Sequence, residues 1–185
     1  DQSIASRLMW PLNSGVRPSM RNSWHVATAA EAFAAAQFAR CGWDISVQYG
    51  ANQPEYDLVA VDGNRVLKVS VKGSKDGGWG LTQSHISNAN YHGAVDTWLA
   101  KHSNRTVFCF VQFKGVDIST LPRMYLATPA EVGAWLKAAA AGRGDTILWE
   151  HHVWAKRAHA AGTVDTIPSH WQFTEERINE LATTA

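Results

Sequence analysis

The stretch PEYDLVAVDGNRVLKVSVKGS, residues 54–74, reads as two strands, YDLVAV (56–61) and VLKVSVK (66–72), joined at Asp62-Gly63-Asn64. Alternation sorts its side chains into two sets. Leu58, Ala60, Leu67, Val69 and Val71 form an apolar set, and Glu55, Asp57, Lys68, Ser70 and Lys72 a polar one, interrupted by Val59. A two-residue turn at Gly63-Asn64 sets Asp57 across from Ser70 and Glu55 across from Lys72. A turn at Asp62-Gly63 moves the register by two and keeps the faces, whereas a three-residue turn would force Lys72 onto the apolar face. Two carboxylates, a hydroxyl and a lysine therefore share one face near the open end of a hairpin. Phosphodiester hydrolysis uses such a set: carboxylates hold Mg²⁺, and a lysine offsets charge developing on the phosphoryl group. The same composition also describes a solvated hairpin face with a cross-strand ion pair.

Upstream, the Ala-rich run TAAEAFAAAQFAR (28–40) predicts a helix, with Thr28 and Glu31 at capping-box spacing and Gly42 after its end. Glu31 is thus either a cap or a site carboxylate. WDISVQY (43–49) alternates as a strand, and residues 50–54 form a loop. Downstream, GSKDGGWG (73–80) reads as a flexible or tightly turned loop. Tyr91 to Ala100 fits a helix burying Val95, Trp98 and Leu99. TVFCFVQF (106–113) is apolar throughout, as a central strand would be. RMYLAT (123–128) is a further strand, leading into the capping box Thr128-Pro129-Ala130-Glu131 of a helix that ends near Gly142. TILWEHHVWA (146–155) fits strand or helix, and Thr174 caps a last helix. The expected fold is one α/β domain, a mixed sheet flanked by helices in the order α-β-β-β-α-β, with C-terminal additions. Within it, 1–22 is an extended arm, 26–141 the core and 142–185 an extension.

The 185 residues carry seventeen Lys and Arg against sixteen Asp and Glu, a net charge of +1, so a grip on nucleic acid must come from a local patch. Nine Trp, six Phe and four Tyr argue against disorder. Cys41 and Cys109 are too few for a disulfide framework or a four-thiolate zinc site. The absence of a long apolar window and of a signal-peptide pattern implies no membrane partner and a cytoplasmic protein. No dinucleotide or Walker glycine pattern is present, so no nucleotide cofactor is expected.

Residues 28–74, and more loosely 106–136, resemble the PD-(D/E)xK nuclease superfamily, with its restriction-endonuclease-like fold, nearest to the small Holliday junction resolvase-like and restriction-type members. The likeness rests on the Glu-bearing helix AAEAFAAAQFARCGW, on PEYDLVAV, on VSVKGS, and on TVFCFVQF followed by MYLATPAEV. It implies an endonuclease that hydrolyses DNA phosphodiester bonds with Mg²⁺ or Mn²⁺. Asp57 would hold the metal, the backbone carbonyl of Val71 would be a further ligand, Lys72 would be the catalytic lysine, and Glu31 the helix acid. Ser70 stands where the family carries an acid. Glu31 or Glu55 would then supply the missing carboxylate, with Ser70 a weak or water-mediated ligand, or DNA phosphates would complete the shell. Alternatively, the fold persists as an inactive module that binds DNA or a protein partner. Cutting both strands would call for a homodimer or two events.

Lys68, Lys75, Trp79 and Gln83 are candidate DNA contacts, Trp79 either stacking on a base or packing into the domain. His85 is a candidate to orient a water or phosphate. Glu150-His151-His152 and His159 offer zinc-ligand chemistry, but adjacent histidines point apart and lack a ligating pattern.

Overall fold

The computed structural model of the chain describes residues 22–48, 55–103 and 105–184. The arm expected over 1–22 lies outside them except for Asn22, as do Tyr49 and the loop expected over 50–54.

Asn22 begins the first helix. Its side chain accepts the His25 N–H at 3.0 Å, and α1 then runs Ser23–Arg40. The helix therefore starts five residues ahead of Thr28, and the capping box expected at Thr28 and Glu31 does not form. Trp24, His25 and Val26 are mediocre helix formers, but an Asn cap and the burial of Val26 carry the first turn. At the other end Gly42 takes φ +85°, the left-handed conformation that turns the chain out of the helix.

β1 (Asp44–Val47) pairs antiparallel with β2 (Leu58–Asp62), which pairs antiparallel with β3 (Arg65–Ser74). Leu58 faces Val69 and Asp62 faces Arg65, so the turn is Gly63-Asn64, the first of the two registers the sequence allows. Continued by one residue, that register places Asp57 opposite Ser70. The chain then crosses through α2 (Tyr91–Leu99) to β5 (Thr106–Gln112), parallel to β3, and β6 (Arg123–Ala127) returns antiparallel. The five-stranded mixed sheet has the order β1-β2-β3-β5-β6.

Every residue of β5 is buried. Its alternation splits the core: Val107, Cys109 and Val111 join the hairpin's apolar set under α1 and α4 (Glu175–Thr184), and Phe108 and Phe110 pack with α2 and α3 (Pro129–Ala138). The helix α3 opens with the capping box read from the sequence: Glu131 N–H donates to Thr128 Oγ1, and Thr128 N–H to Glu131 Oε2. It stops at Ala138, short of Gly142. Thr174 Oγ1 accepts the Arg177 N–H at 3.1 Å and caps α4. The chain is thus a mixed α/β protein with helices on both faces of a mixed sheet. Among the described residues no helix is long and apolar enough to cross a membrane.

Of the two readings of GSKDGGWG, flexible or tightly turned, the flexible one is corrected: β3 runs on to Ser74, and β4 (Gly78–Gly80) pairs antiparallel with β7 (Ile147–Trp149). A Cβ at Gly78 would stand 2.7 Å from the Trp149 ring, so the glycine admits the indole rather than loosening the chain. The ambiguous 146–155 stretch is two short strands. β7 pairs with β4, and β8 (His151–Val153) pairs with β9 (Val164–Thr166).

Candidate functional site

Gly73 lets α1 come down onto β3. A Cβ there would stand 2.8 Å from the Val26 carbonyl oxygen and 2.9 Å from the Ala30 Cβ. This approach brings Glu31, one turn beyond Ala27, over the end of β3. With its capping role gone, Glu31 lies in the helix interior and lines a cleft of about 530 Å³ together with Asp57, Val71 and Lys72. Ser23 and Ala27 form the helix wall, and Ser74, Lys75, Asp76 and Trp79 continue the other side.

Asp57 sits just ahead of β2. Its own N–H donates to the Val69 carbonyl at 2.9 Å, and its Oδ2 accepts the Val71 N–H at 2.6 Å. The carboxylate is therefore tied to the backbone of the lysine-bearing strand. Burial, and after it the Asp57 carboxylate, push Glu31 above its ordinary carboxylate range, while Lys72 pulls it back. Asp57 and Lys72 thus both act on Glu31 across the cleft.

The remaining sequence candidates disperse. Ser70 is 1% exposed and lies beneath the second core, away from the cleft lining. The polar face expected of the hairpin is covered there, because Ser70 runs beside Phe108 of β5. Glu55 turns from the cleft: its Oε1 accepts the Ser103 N–H at 2.8 Å and meets His102 Nδ1 at 3.3 Å. Burial holds His102 below its ordinary imidazole value, and that outweighs the carboxylate. The contact is therefore best read as a neutral ring donating to Glu55 rather than as a full ion pair.

Trp79 is 3% exposed and packs on Phe110 and Tyr125, with ring centroids 5.3 and 6.3 Å away. Its faces are covered, so stacking on a base is corrected to core packing. Lys75 is exposed at the cleft rim beside Asp76, whose Oδ1 accepts the Ser74 hydroxyl at 2.9 Å. Gln83 is exposed in the turn Gln83–His85, its amide against Gly80. Lys68 lies outside the cleft, its ammonium 5.3 Å from the Tyr56 ring centroid. The Glu150 and His151-His152 group makes no metal cluster. Glu150 accepts from Arg123 and Tyr125, and His152 stacks on Trp149 at 4.5 Å. Among the described residues no group of three or more His, Cys, Asp and Glu side chains is arranged to hold a metal.

Sequence reasoning missed His102 as the holder of Glu55, since only the fold brings residues 55 and 102 together. The close approach at Gly73 left one trace, a glycine directly after Lys72 in VSVKGS. No protein-family model matches this chain, and no curated protein or solved structure matches it either.

Proposed function

We propose that this chain has the restriction-endonuclease-like fold of the PD-(D/E)xK superfamily and hydrolyses DNA phosphodiester bonds in the cleft of Glu31, Asp57 and Lys72, with Mg²⁺ or Mn²⁺. One observation carries the reading. A helix acid, an acid at a strand entry and a strand lysine, 41 residues apart at the extremes (72 − 31), meet in one cleft where Asp57 and Lys72 both act on Glu31.

The side chains fit a divalent cation in part. Burial, and after it the like charge of Asp57, raise the proton affinity of Glu31, and a cation between the two acids would relieve the second of these. They are two acids where a full protein cage needs more, which suits Mg²⁺, an ion that keeps several waters and shares substrate phosphates. The Val71 carbonyl would be a third protein ligand. Once bound, the metal supplies charge to the phosphoryl oxygens and lowers the pKa of a coordinated water. Lys72 holds its ammonium beside the same oxygens, where it offsets charge in the transition state or positions the attacking water. The Val71 N–H keeps Asp57 oriented without drawing on another side chain.

Burial of the neutral Ser70 supports a second reading, a catalytically inactive module of the same fold that binds DNA or a protein. Titration of Mg²⁺ and Mn²⁺ into wild type and Asp57→Ala, with and without a DNA duplex, followed by a cleavage assay, separates the two. The nuclease reading expects metal binding and cleavage that both depend on Asp57. Absence of metal binding in both conditions, with DNA present or not, would overturn it in favour of the inactive module.

A further inference from the structure

At the opposite end of β3 from the cleft, a second concavity of about 320 Å³ opens beside the Gly63-Asn64 turn. It is lined by Asn64, Arg65, Val66, Lys68, Arg105 and Ala182. We propose that this concavity binds a backbone phosphate of the nucleic acid whose cleavage is proposed above. The inference rests on that reading only in taking nucleic acid as the ligand, and cleavage plays no part in it.

Three cations line the concavity, and they come from separate places in the chain. Arg65 and Lys68 belong to β3, and Arg105 immediately precedes Thr106, the residue paired with Lys68 in the parallel β3–β5 ladder. Continued by one residue, the register sets Arg105 beside Leu67, one step from Lys68, and both cations line the hollow. The facing carboxylate is Asp62, which is bonded to Arg65. Among the described residues neither Lys68 nor Arg105 forms a salt bridge. Arg65 is fixed: besides Asp62, it donates to Asn179 Oδ1 at 2.6 Å and lies 4.9 Å over the Trp43 ring. Those bonds use two of its five N–H donors and hold the guanidinium between the turn, Trp43 and α4. Lys68 is steadied over Tyr56. One anchored guanidinium and two cations that form no salt bridge among the described residues favour a phosphate oxygen cluster over any neutral ligand around this hollow.

Lys68 also shares its face of β3 with Lys72. Four residues separate them, about 13 Å of strand. Between them Ser70 is covered beside Phe108, so the two lysines mark separate ends of β3 rather than one continuous track.

The test is a salt titration of duplex binding in the Asp57→Ala background, with and without Lys68→Ala and Arg105→Ala together. Arg65 is left alone because it ties the turn to α4. Loss of the one phosphate contact that the two cations share should flatten the slope of log affinity against log salt by about one, equally for duplexes of unrelated sequence. Far-ultraviolet circular dichroism and thermal melting should be unchanged. An unchanged slope would overturn the inference, as would a loss confined to one sequence. Inorganic phosphate, titrated by heat into the same proteins, separates the sources. Phosphate binding lost in the variant while the duplex slope stays intact would reassign the hollow to a free phosphate ligand and sink the nucleic-acid proposal. Failure of wild type to cleave leaves the slope comparison intact, so the two readings fail separately.

Discussion

The N–H of Val71 donates to Asp57 Oδ2 at 2.6 Å, tying the acid of one hairpin strand to the backbone directly before Lys72. A hydrogen bond from the backbone needs an acceptor, but it does not need a charge. Asp57→Asn should keep the bond through its amide oxygen and fold as wild type, with a melting temperature within about 2 °C. Divalent-cation binding and cleavage should fall by about a hundredfold or more. A variant that loses fold and activity together would give Asp57 a structural role instead.

Glu31 predicts the opposite trade. Burial and Asp57 raise its carboxyl above the ordinary 4.5, so its contribution to stability is present below that value and is lost as pH rises through the raised one. At neutral pH the ionised Glu31 is a cost, screened because the side chain is partly exposed. Glu31→Gln should therefore melt about 1 °C higher at pH 7, show no gain at pH 4, and lose activity. A lower melting temperature at pH 7 would show that Glu31 is held by contacts rather than strained by its neighbour.

Gly73→Ala tests the approach of α1 to β3. The new methyl would meet the Val26 carbonyl and the Ala30 methyl at under 3 Å, and neither is the flexible end of a side chain. Overpacking of this kind costs about 1–3 kcal/mol, readable by urea denaturation. Activity should drop further than stability alone explains, because α1 carries Glu31 away from Asp57 as it moves. Normal activity in a folded variant would mean that the helix acid is dispensable.

Arg177 is 4% exposed and holds both oxygens of Glu131 at 2.7 Å, Glu180 Oε2 at 2.9 Å and the Leu126 carbonyl at 3.2 Å. Burial works against ionised Glu131, but Arg177 and Thr128 outweigh it and keep the carboxyl below 4.5. The pair stabilises the fold above that pH and ceases to do so as pH falls through the lowered value. Arg177→Met should cost about 3 kcal/mol at pH 7 and less near pH 3, which melting curves at the two pH values would show. An equal loss at both would remove the ion pair from the explanation.

What the sequence discloses depends on how local the deciding interaction is. The hairpin's two faces were legible because either two-residue turn keeps Lys72 off the apolar face, whereas the choice between the two registers was left to the structure. The Thr128–Glu131 box was legible because a cap and its partner lie within four residues. The start of α1 was hidden because two caps compete there, Asn22 and Thr28, and burial of Val26 decides between them. Glu55 looked like a site acid until α2 brought His102 and Ser103 to it. For Trp79 the sequence left stacking on a base and packing into the domain both open, because the strand that pairs with it, β7, lies some seventy residues on. The cleft itself was partly legible: Asp57 and Lys72 follow from alternation, whereas the place of Glu31 depends on a helix packing that one glycine permits.

The glycine-permitted contact of α1 with β3 also bears on the order of assembly. Glu31, Asp57 and Lys72 lie on consecutive elements joined by short connections, whereas the β3–β5 ladder must first close the chain across α2. Loop-closure entropy therefore favours formation of α1 and the hairpin ahead of β5 and α4. Leu67→Ala should slow folding, and Leu181→Ala should chiefly speed unfolding; chevron plots with the reverse pattern would refute this order. A nascent chain that has emerged only as far as Gly80 already contains every acid and lysine of the cleft, yet lacks the parallel strand that holds β3 in place.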